Sequence, residues 1–305
     1  MDYLYILIGL VGLFLGGEAL VRGSVNIARR MAISPFVIGL TVVGFGTSTP
    51  ELLVSVQAAL RGVPDIAIGN IIGSNIANIL LIVGLTALVW PIRVAGATLR
   101  RDTAVMITAG LLLVPLFALG EVGRLAGGVL VGGLILYLVW TFLKPGQHTT
   151  DDETEAAPMS VALSLLWVVV GLAALMFGAR FLVDGAVSIA RDFGVSEAFI
   201  GLTIVAVGTS LPELATSLIA AFRRQSEIAI GNIVGSNIFN TLGILGVTAL
   251  ITPIPVASRF LTFDLPIMVA ASFVLTGLLL ARPQISRGVG AVMLLSYVVY
   301  VFAAQ

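Results

Sequence analysis

This chain is written twice. The segment IAIGNIIGSNIAN, Ile66 to Asn78, returns as IAIGNIVGSNIFN, Ile228 to Asn240, 162 residues further on. The same offset joins Gly39-Leu-Thr-Val-Val to Gly201-Leu-Thr-Ile-Val, and GTSTPE (Gly46 to Glu51) to GTSLPE (Gly208 to Glu213). Gly9, Gly16, Gly23 and Pro91 answer in the same way to Gly171, Gly178, Gly185 and Pro253. More than half of the positions from Gly39 to Ile92 are identical in their partners. Any fold must therefore hold two copies of one unit.

Both copies read as membrane. Only 10% of the 305 residues are charged and 58% are hydrophobic, with a mean hydropathy of +1.11. Soluble domains carry about 25% charged residues. A formal net charge of zero leaves no basic footprint for nucleic acid. The absence of cysteine removes disulfides, thiolate metal sites and cysteine nucleophiles. The first residues, MDYLYILIGL, lack the basic stretch of a cleaved signal peptide and are expected to begin a retained spanning helix.

A spanning helix needs about 20 apolar residues. Ten segments qualify, near Tyr3–Val21, Phe36–Leu60, Ile66–Trp90, Thr103–Leu119, Leu125–Leu143, Val161–Leu182, Phe199–Phe222, Ile228–Ile251, Asp264–Ala281 and Gly288–Phe302. They are too long and too uniformly apolar for barrel strands. The polar segment KPGQHTTDDETEAAP, Lys144 to Pro158, parts five from five. The expected organisation is a first five-helix half at 1–143, a linker at 144–160 and a second half at 161–305. An odd number of spans per copy gives the copies opposite orientations. With the N-terminus outside and the linker cytoplasmic, eleven basic residues face the cytoplasm: Arg22, Arg29, Arg30, Arg93, Arg100, Arg101, Lys144, Arg223, Arg224, Arg282 and Arg287. Five lie outside, Arg61, Arg124, Arg180, Arg191 and Arg259, and the positive-inside rule favours that topology. The fold class is thus an all-α polytopic membrane protein of two inverted five-helix repeats, an arrangement found in secondary transporters.

The repeated motifs place chemistry inside the apolar runs. A charge at the membrane centre costs about 2.5–3.5 kcal/mol on insertion scales, yet each copy carries one, Glu51 and Glu213. Pro50 and Pro212 precede them, and each removes a backbone donor and frees a carbonyl one turn earlier. Broken backbone in a membrane is tolerated where it lines a cavity or is buried in protein. Beside each carboxylate stand two hydroxyls, Thr47 and Ser48 or Thr209 and Ser210. A second interruption is expected at Gly69–Asn78 and Gly231–Asn240, where Ser74/Asn78 and Ser236/Asn240 share a helical face. Every donor offers oxygen, and the one histidine, His148, is in the linker. Such a set suits a hard cation. Ca²⁺ takes about 6–8 oxygens in flexible geometry, Mg²⁺ demands stricter geometry, and Zn²⁺ or Cu²⁺ would recruit His or Cys. The same two carboxylates could balance Na⁺ or take protons, and that competition is the physical basis of exchange.

GTSTPE with GSNIAN, and GTSLPE with GSNIFN, resemble the two α-repeats of the sodium/calcium exchanger family, of the prokaryotic type. The resemblance covers essentially the whole chain. It implies a Na⁺/Ca²⁺ antiporter working by alternating access, with the second, third, seventh and eighth helices enclosing the ions and the first and sixth sliding across them. It implies that Glu51 and Glu213 are the main Ca²⁺ ligands, joined by the Thr47 and Thr209 carbonyls. The Gly44 and Ala206 carbonyls with Ser48, Ser74, Ser210 and Ser236 would form Na⁺ sites, and Asn78 and Asn240 would sit at the centre. No cofactor is implied: Ca²⁺ and Na⁺ are substrates. The partners are those ions and membrane lipid, with no nucleic acid, and a monomer is expected to function. K⁺-dependent members and some prokaryotic exchangers carry an acid where this chain has Asn240, which argues against K⁺ co-transport. The linker has no large Ca²⁺-sensing domain.

Competing readings exist for each feature. A Ca²⁺/H⁺ antiporter of the same fold would use Glu51 and Glu213 as proton carriers. A cation channel would need a continuous pore, usually built by an oligomer. Ser48 and Ser210 have no His or Lys near them in sequence to make them nucleophiles, so an enzyme is not expected. Gly69, Gly73, Gly231 and Gly235 read first as packing residues. Glu18/Arg22 and Arg180/Asp184, paired at equivalent positions with signs exchanged, read as snorkelling pairs near helix ends. Asp151, Asp152, Glu153 and Glu155 lack EF-hand spacing and read as a solvated linker.

Overall fold

A computed structural model describes residues 1–93, 97–143, 159–194, 206–281 and 284–304. The Lys144–Pro158 linker and the start of the seventh apolar segment, including Gly201, lie outside the described residues. The described residues are almost wholly helical. In order, the elements are α1 (Asp2–Arg30), α2 (Pro35–Thr47), α3 (Thr49–Leu60), α4 (Pro64–Val89), α5 (Ala97–Ala118), α6 (Arg124–Leu143), α7 (Val161–Asp192), α8 (Ala206–Thr209), α9 (Leu211–Phe222), α10 (Ser226–Ile251), α11 (Phe260–Ala281) and α12 (Arg287–Ala303). Among the described residues seven helices are long and apolar enough to cross a membrane, or eight if α2 and α3, bent by 43° at Ser48, count as one span.

Local signals explain the starts. Ser34 accepts from the Phe36 amide and Pro35 supplies a preset φ at the first turn of α2. Ser160 and Ser286 cap α7 and α12 by accepting from Leu163 and Val289. The ends run past the apolar stretches read from sequence. α1 continues to Arg30 and α7 to Asp192, because a helix does not stop where hydrophobicity does. Arg180 and Asp184 therefore lie well inside α7 rather than at its end.

The expected second interruption takes another form. α4 and α10 run through the GSN motifs without a break, and each widens into a π-turn just beyond, at Asn78–Ile82 and Phe239–Ile244. A π-turn adds a residue without freeing a run of backbone groups, so it redirects side chains while the helix continues.

Two apolar clusters divide the molecule. One joins α4, α5, α6, α10, α11 and α12; the other joins α1, α7, α2 and α9. α1 and α7 run antiparallel in the most extensive helix contact among the described residues. A Cβ on Gly9 would meet the Leu182 amide nitrogen at 2.6 Å, one on Gly16 the Leu175 nitrogen at 2.7 Å, and one on Gly23 the Ser164 carbonyl at 2.8 Å. Their repeat partners do the same in return: Gly171 faces the Leu20 nitrogen at 2.6 Å and Gly178 the Leu13 nitrogen at 2.8 Å. Glycine is needed there because backbone meets backbone, the usual basis of close packing in membranes. Gly231 and Gly235 likewise admit α2, touching the carbonyls of Phe36 and Leu40. Gly69 has only Phe260 nearby, at 3.8 Å, and Gly73 has no side-chain neighbour at that distance among the described residues.

Two buried aspartates at equivalent positions tie outer helices together. Asp102 accepts from the Tyr137 hydroxyl at 3.1 Å and from Arg101 at 2.7 Å. Asp264 accepts from the Tyr300 hydroxyl at 2.9 Å, with Arg259 at 3.4 Å. Short pairings close both ends of the bundle: Val122 with Ile254, and Ile92 with Ile285.

Candidate cation site

The two helix breaks meet at the centre. Pro50 and Pro212 stand in the first turns of α3 and α9, so Ser48 and Ser210 become the junction residues, outside helical geometry. Glu51 and Glu213 follow in those first turns, 1% and 0% exposed. Hydroxyls cross from one repeat to the other. Ser48 donates to Glu213 Oε1 at 2.9 Å, and Ser210 donates to Glu51 Oε1 at 3.4 Å. Each carboxylate keeps its Oε2 buried and without a hydrogen-bond partner. Buried polar atoms are rarely left so.

The GSN helices supply a ring of amides. Asn78 donates from Nδ2 to Asn237 Oδ1, and Asn240 from Nδ2 to Asn75 Oδ1, each at 3.1 Å. The Oδ1 atoms of Asn78 and Asn240 are buried with no hydrogen-bond partner. Ser236 donates to the Gly44 carbonyl at 3.1 Å, and Thr47 donates to the Val43 carbonyl at 3.0 Å. Ser74 is buried one turn before Asn78. Ala206 and Thr209 open and close the short α8 just before the Ser210 junction.

Sequence reasoning missed the braces behind the carboxylates. Asn70 donates to the Glu51 carbonyl at 3.0 Å and to Ser55 Oγ at 2.9 Å. Asn232 repeats this with the Glu213 carbonyl at 3.3 Å and Ser217 Oγ at 3.0 Å. Each Asn thus fixes the backbone that carries a glutamate. The signal was available for one of each pair: Ser55/Ser217 keep the repeat offset in segments that otherwise vary, whereas Asn70/Asn232 lie in a segment repeated almost whole.

Among the described residues no group of three His, Cys, Asp or Glu could hold a metal by itself. The oxygens gathered here belong to two carboxylates together with hydroxyl, amide and carbonyl groups. That donor set is hard, and with one negative charge per repeat it is neutralised by a divalent ion or by two monovalent ions.

Buried, crossed carboxylates on broken helices, within a bundle of apolar spans, define a polytopic membrane protein of the transporter class. The comparisons give the particular family. The model of the family described as sodium/calcium exchanger protein matches residues 1–143 and 163–304, so the chain belongs to that family. It is 41% identical to the "Putative antiporter CaxA" of Alkalimonas amylolytica, over 97% of this chain and 96% of that protein. It is 33% identical to the "Sodium/calcium exchanger MaX1" of Methanosarcina acetivorans, over 98% and 97%. The solved structure of the sodium-calcium exchanger NCX_Mj, soaked with Na⁺ and Sr²⁺, superposes with a TM-score of 0.87 at 36% identity, over 100% of this chain and 98% of that one. The protein is therefore an integral membrane cation antiporter of the calcium-transporting exchanger family and not an enzyme.

Proposed function

We propose that this chain exchanges Na⁺ for Ca²⁺ by alternating access at the single site between Glu51 and Glu213. The observation that carries the reading is the set of four buried, unpartnered oxygens: Oε2 of both glutamates and Oδ1 of Asn78 and Asn240. Two carboxylates and two amide oxygens of this kind ask for a cation, and burial makes the empty, doubly ionised site costly. An unloaded carrier then resists crossing, which couples the two ions. Ser48, Ser210, Ser74, Ser236 and the carbonyls of Thr47, Thr209, Gly44 and Ala206 complete the ion shells in this reading, with Na⁺ and Ca²⁺ competing for the same carboxylates.

The architecture follows from the same reading: ten spans in two inverted halves, 1–143 and 161–305, joined by a cytoplasmic linker at 144–160. The antiparallel meeting of α1 with α7, which are repeat equivalents, supports the inversion. In this reading the N-terminus lies outside, as the distribution of basic residues favours, and one chain in lipid is the working unit. The test is radioactive Ca²⁺ uptake into proteoliposomes, with an outward Na⁺ gradient compared with an outward H⁺ gradient at matched membrane potential. Uptake that needs internal Na⁺ is expected. Uptake driven by H⁺ alone would transfer coupling to glutamate protonation, and no uptake under either gradient would overturn Ca²⁺ as the substrate.

A further inference from the structure

An amide near a cation helps or harms according to which end it presents. The oxygen is a ligand and the NH₂ group repels. Asn78 and Asn240 each spend Nδ2 on an asparagine of the other repeat, Asn237 and Asn75, at 3.1 Å, which leaves both Oδ1 atoms free. Their orientation therefore depends on what orients Asn75 and Asn237.

Those two are held unequally. Asn75 donates from Nδ2 to Thr241 Oγ1 at 3.0 Å and reaches Met268 Sδ at 3.4 Å. The Thr241 hydroxyl hydrogen is committed to the Asn237 carbonyl at 2.9 Å, so towards Asn75 that oxygen can only accept. Among the described residues Asn237 reaches just one acceptor from Nδ2, Met106 Sδ at 3.6 Å. The position equivalent to Thr241 is Ile79, which offers nothing. Met106 and Met268 are themselves repeat equivalents, on α5 and α11, buried at 3% and 2%. A thioether has no hydrogen and can only accept.

We propose that Met106 and Met268 are positioning residues that select, through Asn237 and Asn75, the carbonyl ends of Asn78 and Asn240 for the transported ion. The relay runs inward. Sulfur accepts, which turns the outer Asn nitrogen away from the site. The outer oxygen then takes the nitrogen of the inner Asn, and the inner oxygen faces the cation. Reversing the outer amide would force the inner one to accept, presenting its NH₂ group to the ion. The Met268 branch is backed by Thr241; the Met106 branch stands on sulfur alone.

This inference rests on the proposed cation site, and the experiment separates the two. Leucine keeps the volume and apolarity of methionine but removes the acceptor. In proteoliposomes, Met106→Leu is expected to raise the KM for Ca²⁺ about 10-fold, the lower end of what outer-layer residues of metal sites contribute, with Vmax retained. Met268→Leu should stay close to the wild type, because Thr241 still holds Asn75. Ile79→Thr added to Met106→Leu should restore the KM by supplying the missing hydroxyl. In a Thr241→Val background, Met268→Leu should become as harmful as Met106→Leu, a test that stands even if Met106→Leu folds poorly. Equal effects of the two single leucine variants, or no rescue by Ile79→Thr, would overturn the relay and leave the antiporter reading intact. A wild type that takes up no Ca²⁺ would overturn both.

Discussion

The α3 and α9 arms carry nearly the same sequence in different surroundings. On α9, Ala215 and Ile219 are covered by α1: a Cβ on Gly17 would lie 3.0 Å from Ile219 Cγ1. Their equivalents on α3 are Leu53, 50% exposed, and Gln57, also exposed, and among the described residues no packed face of that kind joins α7 to α3. The ends differ as well. Arg223, just past α9, binds Glu18 of α1, which also takes Arg22. Arg61, just past α3, forms no ion pair among the described residues, while Asp184 and Arg180 of α7 form a loose pair at 3.7 Å with both side chains exposed. One unit, written twice, is thus held closed at one arm and open at the other. Two copies in unlike surroundings are what an alternating carrier requires, since exchanging their surroundings would move access to the opposite side.

At the centre the difference between the arms should vanish, and the largest expected effect tests that. Glu51→Gln and Glu213→Gln should each lower Ca²⁺ uptake by at least about 100-fold, since Ca²⁺ affinity follows the number of charged ligands. Both proteins should still extract from membranes as monodisperse species, because Gln is isosteric and the backbone braces from Asn70 and Asn232 remain. Transport at the wild-type rate in either variant would show that the centre is not a shared site.

The α1–α7 seam should also behave symmetrically. Gly16→Ala and Gly178→Ala each drive a Cβ into backbone, at 2.7 and 2.8 Å, and neither neighbour can yield as a side chain would. Each should cost about 1–3 kcal/mol, the range for overpacked sites, read as a lower melting temperature in detergent. Gly132→Ala on α6, where no atom lies within 4 Å, is the control and should be neutral or gain up to about 1 kcal/mol from helix propensity. A drop at Gly132 equal to that at Gly16 would break the assignment of the seam.

Much of this was legible before any coordinates. The duplication, the two breaks and the two glutamates stand out because Pro and Glu are so ill-suited to an apolar helix that their repetition has few explanations. The braces and the methionine relay were not read. Asn70 and Asn75 sit inside a motif in which Ser74 and Asn78 share a helical face with a direct ligand reading, and Met106 looks like any core residue until the Asn237 amide is found against its sulfur. The interruption expected at Gly69–Asn78 and Gly231–Asn240 is not there, and the π-turns just beyond were not read, because a one-residue insertion leaves the apolar pattern of α4 and α10 almost unchanged. The unequal arms could not have been read at all: Leu53 and Ala215 are both ordinary lipid or core residues, and only the position of α1 distinguishes them.

The smallest expected effect bears most directly on the arms. The Glu18–Arg223 pair has arginines half exposed to solvent, so it contributes about 0.2–1 kcal/mol. Removing it with Glu18→Gln should therefore shift the balance between closed and open arms by no more than about fivefold. The absence of cysteine makes this measurable without background, because a single introduced thiol is the only one to react. Gln57→Cys on the open arm should label quickly with a small maleimide, and Ile219→Cys, under α1, slowly. Adding Glu18→Gln should speed labelling at Ile219→Cys and slow it at Gln57→Cys, because freeing one arm lets the molecule visit the state in which α7 covers the other. Faster labelling at position 219 with no change at 57 would mean that α1 merely loosens. The two arms would then be unlike parts of a static structure, and the pair would be a local tether rather than one side of an exchange.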